Sequence, residues 1–124
     1  MELIQSELSE KIIGCCIRVH KSLGPGFLEK VYEEALCLEL SKAGLSFERQ
    51  TLVTIAYLGQ TIGEHRLDLL VEELVVLELK ACRAIDDIHL ATTRSYLKAT
   101  SLQLGLVINF SRPTLDIKRV VLTH

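Results

Sequence analysis

The sequence predicts a mixed α/β domain of the α+β kind, with elements in the order α-α-β-β-β-α-β-β. Three observations carry this. Apolar residues recur at three- and four-residue steps up to Gly44, the pattern then becomes β-branched or continuously apolar up to Lys80, and one further helical stripe precedes two last apolar runs.

The first helix is expected over Ser6 to Ser22, where Leu8, Ile12, Cys15 or Cys16, Val19 and Leu23 line one face, and Gly24-Pro25-Gly26 stops it. A second stripe of Leu28, Val31, Ala35 and Leu38, with Leu36 and Leu40 alongside, ends at Gly44, a natural C-terminal stop. Thr51 to Leu58 is rich in β-branched and aromatic residues and turns at Gly59-Gln60 into Thr61 to Val71. Leu74 to Lys80 follows, apolar without a break up to Glu78, as in a central strand covered on both faces. Asp86-Asp87 offers an N-cap to a third helix that carries Ile88, Leu90, Tyr96 and Leu97 and ends near Ala99. Leu102 to Phe110 and Leu115 to Leu122, separated by Arg112-Pro113, are the last two strands. With no repeat, linker or low-complexity tract, residues 1–124 are expected to form a single domain.

At 124 residues, 48% apolar and 24% charged, the chain is long enough to bury a core without disulfide or metal staples. The net charge of −2 excludes holding nucleic acid by bulk charge, so any such contact must come from a local patch. No apolar run reaches the roughly 18 residues of a membrane span, and Met1 to Glu10 lacks the basic flank and apolar stretch of a secretion signal. The expected location is the cytoplasm. Cys15, Cys16, Cys37 and Cys82 form no C-x-x-C pair and read as small core residues in a reducing compartment.

The chemistry concentrates where the third strand turns polar. Residues two apart on a strand share a face, so Glu78 and Lys80 project together while Leu79 points away. Asp68 joins them only in one register: a two-residue loop at Glu72-Glu73 sets it against Leu77, whereas a three-residue loop or a bulge sets it against Glu78. In the second register two carboxylates meet near the end of a buried strand, and a hard divalent cation resolves their repulsion. Mg2+ or Mn2+ on Asp68, Glu78 and the Leu79 carbonyl makes an open site. Lys80 would orient an attacking water or neutralise charge developing on a phosphate.

These residues also carry a resemblance. Leu23-Gly24-Pro25-Gly26-Phe27-Leu28-Glu29-Lys30-Val31-Tyr32 resembles the signature of the GxxExxY proteins, a family of the PD-(D/E)XK nuclease-like superfamily. The likeness continues through Arg66 to Val71, Glu78 to Ala81, Tyr96-Leu97-Lys98 and Gly105 to Phe110. It implies a restriction-endonuclease-like core, a mixed central sheet flanked by helices. It also implies a metal-dependent nuclease acting on DNA or RNA, with Glu29 of the first core helix joining Asp68, Glu78, Leu79 and Lys80. Thr92 stands where many relatives have glutamine. A homodimer is the assembly implied, since domains this small in the superfamily often present two sites to one substrate. The competing reading is a catalytically silent module that keeps the fold to bind nucleic acid or a protein. Tyr32 and Tyr96 read as core or rim aromatics, and His20 and His89 as locally hydrogen-bonded side chains.

Overall fold

The computed structural model describes residues 5–124, so positions 1–4 of the expected 1–124 domain lie outside the described residues. The order is α1 (Ser6–Leu23), α2 (Glu29–Lys42), β1 (Phe47–Tyr57), β2 (Gln60–Val71), β3 (Val75–Lys80), α3 (Asp87–Thr100), β4 (Leu104–Asn109) and β5 (Asp116–Val121). The five strands form one sheet in sequence order. β3 and β4 are parallel, joined through α3, and the other neighbours are antiparallel. This is the mixed sheet with flanking helices that the sequence predicts. β1 starts four residues earlier than expected, because Phe47, Glu48 and Arg49 pair with Val71, Leu70 and Leu69.

Two cores form, one on each face. The α1–α2 hairpin lays Ile12, Cys15, Cys16, Tyr32, Leu36 and Leu40 on Leu69, Leu77, Leu79, Leu106 and Ile108. On the other face α3 presents Leu97 to Val53, Leu67, Val76, Val107 and Val120. β3 is covered on both sides, as its unbroken apolar run requires. α2 ends in a paired turn, with Leu45 N–H bonding to Leu40 C=O and Gly44 N–H to Ser41 C=O, and Gly44 supplies the left-handed φ of 77° this needs. Three of the four cysteines are buried, but Cys82 is half-buried in the loop after β3, its thiol donating to Ala84 C=O.

One irregularity matters for function. On a regular strand Leu67, Leu69 and Val71 would share a face, yet Leu67 packs on the α3 side while Leu69 and Val71 pack beneath α1 and α2. Opposite, Gln50 adopts a left-handed φ of 52° between the pairs Arg49↔Leu69 and Thr51↔Leu67. The β1–β2 ribbon therefore switches faces at Gln50 and Asp68.

Candidate active site

The β2–β3 turn decides whether the two carboxylates meet. Glu72 and Glu73 both take left-handed φ, and Leu74 N–H closes on Val71 C=O. Leu74 is then an extra residue, so Val71 pairs with Val75 and Leu69 with Leu77. One step further in that register Asp68 falls opposite Glu78. The turn's unfavourable backbone is tied down by Ser46, whose N–H and hydroxyl both donate to the Glu72 carboxylate.

The face switch makes Asp68 different from an ordinary strand residue. Its side chain lies in the ladder's place: Oδ2 accepts the Leu79 N–H at 2.7 Å. The N–H and C=O of one strand residue leave the same edge, so the Leu79 carbonyl also faces the β2 side. Glu78 is 5% exposed and projects with Val76 toward the α3 face, within reach of the charge of Asp68. Its Oε1 is buried without a hydrogen-bond partner. Burial, together with the charge of Asp68, pushes the Glu78 carboxyl up to about 8, and burial likewise raises Asp68 against the opposing pull of the Leu79 N–H.

Lys80 continues the same face and acts by charge on Asp68, Glu78 and Glu29. Asn109, fully buried, is its register partner on β4 and ties down the chain that follows it. Asn109 Oδ1 accepts the N–H groups of Cys82 and Ser111, its Nδ2 donates to Cys82 C=O, and Phe110 N–H bonds to Lys80 C=O. Glu29, the first residue of α2, is exposed and reaches Lys80, Asp68 and His89 through charge alone, while partial burial raises its carboxyl. Thus Asp68 and Glu78 sit beside the Leu79 backbone, and Lys80 and the exposed Glu29 are coupled to them by charge. Among the described residues no three His, Cys, Asp or Glu side chains converge as a ready-made metal cage.

A family model for the PD-(D/E)XK nuclease superfamily matches residues 6–120. The chain belongs to the PD-(D/E)XK nuclease superfamily. Nucleases of this superfamily generally use divalent metal ions. Two neighbouring carboxylates, one with a buried oxygen that has no hydrogen-bond partner, and a carbonyl turned to the same edge are donors that suit a hard cation. A solved structure titled "Crystal structure of SSO0001" shares the fold at a TM-score of 0.59 and 16% identity, over 74% of this chain and 48% of that one. The chain thus spans about half the length of that protein. No curated protein matches it. No helix among the described residues is long and apolar enough to cross a membrane.

The glycine-rich segment before α2 has a structural role in this member of the superfamily. The Tyr32 hydroxyl donates to Gly24 C=O at 2.6 Å and accepts the Phe27 N–H at 3.2 Å, while its ring stacks on Phe110 at 4.6 Å. Tyr32 therefore pins the loop that launches α2 and sets where Glu29 stands. His89 closes the start of α3, its Nδ1 accepting the Asp86 N–H.

Two further residues beside this group escape the sequence reading. Glu33, one turn after Glu29, is 5% exposed, is held by Arg49 at 2.6 Å and by Gln50 at 2.8 Å, and adds negative charge beside Asp68. Its spacing from Glu29 on one helix face was a usable signal. His65 stacks on Tyr96 with ring centres 3.9 Å apart and turns Nε2 toward Glu78 Oε1 at 3.7 Å. Burial lowers its proton affinity. Nothing in the alternation marked it, because the face switch at Asp68 is what brings it to the α3 side.

Proposed function

We propose that the chain is a divalent-metal-dependent nuclease that hydrolyses phosphodiester bonds of DNA or RNA. The observation that supports this best is the Asp68–Glu78 pair, set at the splayed end of a buried ladder, with Glu78 Oε1 buried and unpartnered and Lys80 on the same face. A bound divalent cation would supply Lewis-acid activation of water and relief of phosphate charge. The residues divide the remaining work. Asp68, Glu78 and the Leu79 carbonyl hold the ion, and losing the Glu78 proton is part of binding it. Lys80 keeps positive charge beside the attacked phosphate and orients the attacking water. Glu29 completes the outer shell at the mouth. Mg2+ and Mn2+ both suit the oxygen donors.

The test is cleavage of labelled single- and double-stranded DNA and RNA by the purified chain with Mg2+ or Mn2+. Product formation is expected with at least one substrate, abolished by EDTA and by Asp68→Asn or Lys80→Ala in folded protein. Cleavage that survives both substitutions overturns the assignment. No cleavage of any of the four substrates by folded wild type favours the silent module instead.

A further inference from the structure

We propose that His65 is a ligand of the ion held by Asp68 and Glu78, which makes the centre a mixed nitrogen and oxygen site favouring a first-row transition ion such as Mn2+ over Mg2+. This rests on the functional reading above and narrows which ion the site takes.

Two buried polar atoms lack hydrogen-bond partners. Among the described side chains, Glu78 Oε1 and His65 Nε2 are both buried without a hydrogen bond, and they face each other at 3.7 Å. That separation is too long for a hydrogen bond between them. A buried polar atom left unsatisfied costs about 1–3 kcal/mol, so two of them aimed at one point need an explanation. A shared cation supplies one: donors each about 2.1 Å from a common ion stand roughly 3–4 Å apart.

The imidazole is also set up for the role. Its ring lies flat on Tyr96, 11° from parallel, which fixes the direction of Nε2 instead of leaving it to swing. His65 comes from β2 three residues before Asp68 and lies opposite Val53, a residue of the α3-side core. Because the ribbon switches faces at Asp68, His65 and Glu78 arrive on the same side from adjacent strands. The charge of Asp68 acts on His65 as well as on Glu78. Asp68 Oδ2 accepts the Leu79 N–H, and the side chains do not converge as a ready-made cage, so the donors on which the ion would rest first are Glu78 Oε1 and His65 Nε2.

Donor chemistry sets the preference. Carboxylate and carbonyl oxygens alone suit Mg2+, whereas a neutral imidazole nitrogen favours transition ions. His89 stands near Glu29 but its Nδ1 is engaged by the Asp86 N–H, so it is the natural control.

The experiment is Mn2+ and Mg2+ titration of the whole chain by calorimetry, with pulsed EPR of bound Mn2+ to detect a directly coordinated 14N nucleus. Wild type should bind Mn2+ more tightly than Mg2+ and show the nitrogen coupling. His65→Phe, which keeps a ring on Tyr96, should lose the coupling and weaken Mn2+ by roughly 10- to 100-fold, at least the loss seen for an outer-shell partner, while Mg2+ changes little. His65→Gln should behave the same way, and His89→Gln should keep the coupling. Mn2+ bound by wild type with no nitrogen coupling, or equally well by folded His65→Phe, overturns this inference and leaves the nuclease reading standing. Coupling lost in His89→Gln instead overturns it too. Failure of folded wild type to bind either ion overturns both.

Discussion

Replacing Glu78 by glutamine should stabilise the metal-free protein, and only at neutral to alkaline pH. The folded chain holds the Glu78 carboxyl at about 8 against an ordinary 4.5. Between those values the folded state keeps a proton that the unfolded state has released, so stability falls as pH rises through this window. At 1.36 kcal/mol per pH unit the ceiling is about 5 kcal/mol above pH 8. Sharing of the proton with Asp68 reduces the expected gain to about 2 kcal/mol, or a rise in Tm of about 5 to 10 °C for a domain of this size. Below pH 5 Glu78 is already neutral and the substitution should change little. Thermal unfolding of wild type and Glu78→Gln in EDTA at pH 5 and pH 8 reads the difference directly, since titrating groups remote from Glu78 cancel in the comparison. Adding Mn2+ or Mg2+ should then raise the Tm of wild type and not of the variant. A Tm difference that is the same at both pH values, or a variant less stable than wild type at pH 8, refutes the burial argument.

Other parts of the fold make separate predictions. Gly105→Ala would put a Cβ 2.7 Å from Thr93 Cγ2, which is buried, so it should cost about 1–3 kcal/mol in urea unfolding. Thr93→Ser in the same background should recover most of that. Tyr32→Phe keeps the stack on Phe110 but leaves Gly24 C=O and Phe27 N–H without the hydroxyl, a loss of about 1–2 kcal/mol in the same measurement. Arg49→Met leaves the buried Glu33 carboxylate to Gln50 and Lys30 and should cost about 1–2 kcal/mol, with Glu33→Gln added to the variant restoring part of it.

The fold was legible in the sequence where periodicity is strong. The stripe of α1, the stop at Gly44 and the continuous apolar run of β3 all correspond to what forms, whereas α2 buries Tyr32, Leu36, Cys37 and Leu40 and leaves the expected Leu28, Val31 and Leu38 exposed, because the helix turns its other face to the sheet. The start of β1 was not legible, because Phe47-Glu48-Arg49 carries too little alternation to distinguish it from a loop. Pairing with β2 decides it. Asp68, Glu78 and Lys80 could be named from spacing, but the register that joins them depends on Leu74 following a tight turn, and the sequence left both turn lengths open. Glu33 and His65 needed three dimensions. A glutamate on a helix reads as solvated until Arg49 and Gln50 are seen to enclose it, and His65 reaches Glu78 only because the ribbon switches faces at Gln50 and Asp68.

The central claim is that the carboxylate pair at the end of β3 is a metal centre. A crystal of the chain soaked in Mn2+ and recorded at an anomalous wavelength tests it most directly. An anomalous peak is expected between Asp68 and Glu78, within ligand distance of both carboxylates. Mn2+ found only elsewhere on the surface, with no peak between Asp68 and Glu78, would contradict it.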